Sequence, residues 1–283
     1  MGTGNEVRTV RADDGVDLRY EVVVHDDASA ADHALPIVLL HGALAGRRTF
    51  SRQHQALASI GRLIVPSIRG HDGSELTLPP DYGIATSDIR DLCAVLDTEG
   101  VERLHLIGHS SGGATAFAFA QAFADRIERL ILIEPSLFTL LPTQELATGP
   151  HTGAAIIEAA AAGSTAAVMP QFLPHAVGSA WQAFDDDAKS ALIAKMAPME
   201  PFIVPHLRAL RNFTVEPADL KALRPPTLLF YGQNSFEFEA RIAAQWRAHR
   251  PDLDLILVEG AGHNVHRDYS GLVNGAILSF LNS

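Results

Sequence analysis

A chain of 283 residues, 47% of them hydrophobic, can bury one sizeable core carrying an insertion, or two smaller ones. Its 33 acidic against 22 basic residues leave a formal charge of −11, which excludes nucleic acid as the expected partner, because phosphate-binding faces need clustered Lys and Arg. No apolar run approaches the ~18 residues that span a bilayer, and no basic-then-apolar leader opens the chain. The expectation is therefore a cytoplasmic protein with no membrane partner, acting on a neutral or lipophilic small molecule.

Residues 7–10 and 16–24 alternate apolar and polar side chains around Asp13-Asp14-Gly15, which predicts an antiparallel hairpin at a sheet edge. A polar loop is expected over 27–33. Pro36-Ile-Val-Leu-Leu-His41-Gly42 reads as a strand buried on both faces, followed by a helix over 49–59. A short strand over 62–66 then runs into the glycine-rich turn Arg69-Gly-His-Asp-Gly-Ser74, and a helix is expected over 84–99. The only cysteine, Cys93, excludes an internal disulfide and shares a helical stripe with Ile89 and Leu96, which marks it as a packed structural thiol.

Leu104-His-Leu-Ile-Gly108-His-Ser110-Ser-Gly112-Gly113 organises the rest. An apolar strand stops at a serine flanked by glycines, and the Ala- and Phe-rich residues 114–124 suit a helix buried against a sheet. This is the G-x-S-x-G pattern, in which the serine occupies a strained strand-to-helix turn with its hydroxyl exposed. Side chains at 108 and 112 would collide with neighbouring backbone, so glycine is expected there. Ser110 is the candidate nucleophile.

Residues 129–133 form the next strand, ending in Glu134-Pro135. The strand rhythm then disappears from 136 to 217, where Ala-rich and amphipathic stretches (154–162, 181–184, 188–196) predict short helices with breaks at Pro170, Pro174, Pro198, Pro201 and Pro205. Strands return at 226–232 and 253–258, with helices over 236–249 and 269–281. Strands alternating with helices imply a mostly parallel sheet covered on both faces. After the last strand, Gly260-Ala-Gly-His263 lets a loop reach back over the sheet. His263 is the candidate base, since a serine hydroxyl needs a group titrating near neutrality and histidine's ordinary pKa is about 6.5. His266 is its rival; His109 is expected to face away from the serine as a packed core residue.

Taken together, strand-His-Gly, the serine turn, strand-Glu-Pro, helical insertion, strand-Tyr-Gly and Gly-Ala-Gly-His resemble the α/β-hydrolase superfamily along nearly the whole chain. The resemblance implies an α/β fold with a mostly parallel eight-stranded sheet, a core of residues 1–135 and 218–283, and an inserted helical cap of residues 136–217. It also implies an oxyanion hole from the backbone N–H groups of Ala43 and Ser111. Most relatives carry an aspartate two or three residues after Tyr231-Gly232, but here the segment is Gln233-Asn234-Ser235. A minority place the acid after the preceding strand, which assigns Glu134. Glu237 or Glu239 is the alternative, and Asn234 could orient an imidazole without offsetting its charge.

The resemblance implies a cofactor-free serine hydrolase of a carboxylic ester or lactone. Carbon–carbon bond hydrolysis, acyl transfer and ligand binding without turnover stay open. No C-x-x-C or H-E-x-x-H pattern points to a metal. Phe138, Phe172, Trp181, Phe184, Met196, Met199 and Phe202 would suit a lipophilic substrate under the cap. The oligomeric state is not legible.

Overall fold

The computed structural model describes residues 3–25, 34–148, 153–161 and 168–283; the loop expected over 27–33 and Ala162 lie outside them. Eight strands make one sheet: β1 (Thr3–Arg11), β2 (Asp17–His25), β3 (Ile37–Leu40), β4 (Leu63–Pro66), β5 (Leu104–His109), β6 (Ile127–Ile133), β7 (Thr227–Gly232) and β8 (Asp254–Val258). Their order is β1-β2-β4-β3-β5-β6-β7-β8. The β1–β2 hairpin and its junction with β4 are antiparallel, and every pair from β4 to β8 is parallel.

Alternation along the strands explains the two faces. Val38, Leu106, Leu132 and Leu229 join one apolar cluster; their neighbours Leu39, Ile107, Ile131 and Phe230 join the other. Because successive side chains point to opposite faces, strands apolar at every position must be covered twice. The first face is covered by α2 (Ile89–Thr98), α3 (Ser111–Ala122) and α10 (Glu237–His249), the second by α1 (His54–Ala58) and α12 (Ser270–Leu281). Helix α3 is buried at every position from Ser111 to Ala120, which its Ala, Gly and Phe content allows. Cys93 is half-buried against the first cluster.

Between β6 and β7 run α4 (Thr143–Thr148), α5 (Ala154–Ala161), α6 (Val168–Val177), α7 (Asp186–Met196) and α8 (Glu200–Asn212). They share a small core of their own, including Ile156, Met169, Leu173, Phe202 and Leu207. Two expected breaks do not occur: Pro174 lies inside α6 and Pro205 inside α8. Burial of the flanking Leu173, Phe202, Ile203 and Leu207 outweighs the missing N–H, at roughly 1.5–3 kcal/mol for each large apolar side chain. The helix expected over 49–59 is a 3-10 turn (Arg47–Phe50) followed by α1, while the helix expected over 269–281 is α12, preceded by the short α11 (Val265–Asp268). The remaining helix, α9 (Pro217–Ala222), leads back into the sheet.

Candidate active site

Parallel strands bring their carboxyl ends to one edge, and the candidate residues all follow those ends: Ala43 after β3, Ser110 after β5, Glu134 after β6, His263 after β8. Ser110 adopts φ 56° and ψ −122°, a region that L-residues rarely occupy. Its N–H donates to the Ile133 carbonyl at 3.0 Å, and its own carbonyl accepts from Gly113, Ala114 and Ser136 N–H at 2.9, 3.1 and 3.1 Å. Those bonds hold the strained turn. A Cβ at Gly108 would stand 2.4 Å from the Gly112 carbonyl oxygen, and one at Gly112 2.3 Å from that of Leu40. Both glycines are therefore required by close backbone approach. The Ser110 hydroxyl lies 3.4 Å from Ser136 Oγ.

Glu134 is fully buried and sits at φ 44°. Three donors converge on its carboxylate: Gly232 N–H on Oε1 at 2.7 Å, and the Ser235 hydroxyl and His263 Nδ1 on Oε2 at 2.6 and 2.5 Å. A carboxylate is acceptor-only, so Nδ1 carries the proton in this arrangement and Nε2 is left with a free lone pair. The turn after β7, where an aspartate was missing, instead supplies two of the donors. The loop carrying His263 is built on that turn: Asn234 N–H donates to the Ala261 carbonyl at 2.8 Å, and a Cβ at Gly232 would lie 2.5 Å from two carbonyl oxygens of the loop.

The rivals go elsewhere. His266 is buried, bonds Thr49 Oγ1 at 2.9 Å, and burial pushes its pKa down to about 3. Glu237 is solvent-facing beside Arg241. Asn234 is exposed and reaches the Gly260 carbonyl at 3.4 Å. Glu239 does not go elsewhere: it is buried beside Glu134 and His263, and one polar side-chain atom from each of the three lies within 4.8 Å of the others. His109 is buried as expected, yet it does not simply face away. Its Nε2–H donates to the His263 carbonyl at 3.0 Å, its ring packs 4.8 Å from that of His263 and 4.4 Å from that of His266, and burial holds it neutral.

The loop after β3 is pinned from the glycine-rich turn. His71 Nε2 accepts from Leu44 N–H at 2.9 Å while Nδ1–H donates to the Arg69 carbonyl at 3.0 Å, and Asp72 accepts from Arg47 N–H at 2.6 Å. Both jobs need a neutral imidazole, and burial lowers the His71 pKa accordingly. Arg69, buried, is clamped by both Asp91 oxygens and Asp14 at 2.7 Å, so it anchors the turn from beneath. Of the two expected oxyanion donors, Ala43 N–H already donates to the Ser111 hydroxyl at 2.9 Å. Ser111 opens α3, so its N–H precedes the first intrahelical acceptor.

Ser110, Ser136, Ala43, Ser111 and His263 line one cavity of about 350 Å³. Phe138, Phe172, Phe184 and Met196 contribute to its wall as expected, with Phe236 and Phe238 from the α10 side. Phe202 does not; it is packed at 4.9 Å edge-on to His71 and stacked on His206. Trp181 packs against Phe184, and Met199 meets Gly70. His206 also lines the cavity, with Nδ1 3.0 Å from the Tyr82 hydroxyl, whose other neighbour is the buried Asp88 carboxyl. Ser136 and His206 carried no motif, while His71, inside the glycine-rich turn, and Ser235, after Gly232, lay in segments singled out without a role for either residue.

Comparison with known proteins bears on this geometry. The family model described as "Alpha/beta hydrolase family" matches residues 37–276. The 2-hydroxy-6-oxononadienedioate/2-hydroxy-6-oxononatrienedioate hydrolase of Burkholderia vietnamiensis is 26% identical over 283 residues, covering 95% of this chain and 93% of that protein. An sn-1-specific diacylglycerol lipase of Mus musculus is 27% identical over 270 residues, covering 88% and 82%. Among solved structures, the enol-lactonase from Burkholderia xenovorans superposes with TM-score 0.75 at 18% identity, over 98% of this chain and all of that one. A thermophilic esterase from Thermogutta terrifontis gives 0.74 at 21% identity, over 98% of both.

Proposed function

The chain belongs to the α/β-hydrolase family, and from that premise we propose that it is a serine hydrolase cleaving a carboxylic ester or lactone of a lipophilic small molecule. The observation that carries this reading is the buried 2.5 Å contact of Glu134 with His263 Nδ1, in a cavity that Ser110 also lines. With Nδ1 held as donor, Nε2 is free to take the Ser110 proton as Oγ attacks the substrate carbonyl. The developing oxyanion is met by Ser111 N–H and by Ala43 N–H, which turns to it from the Ser111 hydroxyl. The imidazolium, balanced by Glu134, then protonates the departing alcohol, leaving an acyl group on Ser110. Water activated by His263 releases the acid. Bonds of this kind tighten only in the substrate complex, so the Ser110 hydroxyl leaves Ser136 at that step.

The apolar wall supports a lipophilic acyl group, and about 350 Å³ lies at the small end of ligand cavities. On this reading residues 136–217 act as a cap over the core formed by 1–135 and 218–283. Among the described residues no helix is long and apolar enough to cross a membrane. A fluorophosphonate probe tests the proposal: it should label wild type at Ser110, and a chromogenic short-chain ester should be hydrolysed by wild type and not by Ser110→Ala. Folded protein that neither labels nor turns over would refute it.

Carbon–carbon hydrolysis is the second reading. The full-length relative named for a dienedioate substrate favours it, as does Arg267 on the cavity wall, a cation that could meet a substrate carboxylate. Loss of a dienoate chromophore at a rate exceeding ester hydrolysis would select it.

A further inference from the structure

Glu239, in the first turn of α10, is a buried carboxyl that the proposed chemistry does not use. It is 1% exposed, and neither of its oxygens has a hydrogen-bond partner. It stands with Glu134 and His263 in one group whose facing atoms are within 4.8 Å. The other polar groups turned toward this spot are the Tyr231 hydroxyl of β7 and, through it, Trp246 Nε1 of α10. Among the described residues no Lys or Arg pairs with Glu239.

Two buried carboxylates this close repel each other, and such a pair keeps one proton between them. The hydrogen bonds decide which oxygen pair holds it. Glu134 has three donors and Glu239 has none, so the negative charge resides on Glu134 and the proton on Glu239. Burial and the neighbouring Glu134 charge push the Glu239 pKa well above the ordinary carboxylate range, in agreement with the geometry. We propose that Glu134 and Glu239 form a carboxyl pair holding a single negative charge beside His263, with Glu239 the neutral member and the reserve acid when Glu134 cannot be charged. The two residues that the sequence offered as alternatives thus act on the same imidazole. The inference rests on the serine-hydrolase reading, because Ser110 reactivity is its readout.

The experiment measures fluorophosphonate labelling rates and chromogenic ester turnover from pH 5 to 10 in wild type, Glu239→Gln, Glu134→Gln and the double variant. Glu239→Gln should lose an alkaline inflection that wild type shows, because ionising Glu239 adds charge beside the imidazole. Glu134→Gln should fall on the order of a thousandfold. Its residual rate should rise with pH as Glu239, freed of a like charge, ionises at lower pH than in wild type. The double variant should drop at least about another tenfold and lose that rise. A double variant no slower than Glu134→Gln, or a Glu239→Gln as impaired as Glu134→Gln, would overturn the pair. Infrared spectroscopy gives an independent reading: above about pH 8, where Asp88 is charged, the difference spectrum of wild type minus Glu239→Gln should show the C=O band of a neutral buried carboxylic acid, and its absence would also overturn the pair. Wild type that does not label at all would instead refute the serine-hydrolase reading.

Discussion

The cavity has two walls, made under different constraints. At the sheet edge, positions are dictated by backbone: a Cβ at Gly112 has 2.3 Å to the nearest carbonyl oxygen, Ser110 and Glu134 are both held at positive φ, and the loop of His263 is fastened to the turn after β7. The helices between β6 and β7 are looser. Helix α7 buries none of its residues, and prolines inside α6 and α8 are tolerated because packing on one side suffices. On the proposed reading this is a division of labour, with the reacting groups on the wall fixed by backbone contacts and substrate selection on the wall built from side chains.

Substitutions at the sheet edge should break this contrast most severely. Ser110→Ala and His263→Ala should each lower kcat by roughly a millionfold while leaving thermal melting near wild type, measured by ester turnover and calorimetry. Gly112→Ala should cost about 4 kcal/mol or more in a denaturant titration, because the new methyl meets backbone that cannot move aside. An unchanged midpoint would show that the edge is softer than described.

A third test lies where the two walls meet, at Asp88, which touches Thr115 of α3 and Tyr82, and through Tyr82 reaches His206 of α8. Burial pushes its pKa from 3.8 up to about 7. A raised carboxyl means that the folded state binds more protons than the unfolded state between those values, so native stability falls as pH rises from 4 to 7 and the penalty is complete above 7. Asp88→Asn removes this titration. Its stability relative to wild type should therefore climb across that window, by up to about 4 kcal/mol, and then level off. A difference independent of pH would place the charge elsewhere. The smallest effect is expected in the helical wall: Phe184→Ala should raise KM about two- to tenfold for a bulky ester and change kcat little.

The same contrast separates what was legible in the sequence from what was not. Two-faced apolar strands such as Ile37–Leu40 could be read because burial on both faces leaves a short, uninterrupted apolar run bounded by turn residues. The strained turn at Ser110 could be read from its glycines, and Glu134 was singled out by the aspartate missing after Gly232. Convergence of distant side chains leaves no such trace. Ser235 and Gly232 donating to Glu134, and His71 holding Leu44, join segments up to about a hundred residues apart. Pro174 and Pro205 misled for the complementary reason, since local propensity was overridden by packing that only the assembled helices provide.

His109 and Ile133 are the last partners in the β5–β6 ladder, and Ser110 and Glu134 each follow by one residue. Their spacing is thus measured by the ladder itself, and a slip of one rung would turn the strand's alternation over and carry the serine out of reach of its partners. During refolding, recovery of Ser110 reactivity would then time the moment this central pairing locks into register, rather than the earlier collapse of the chain.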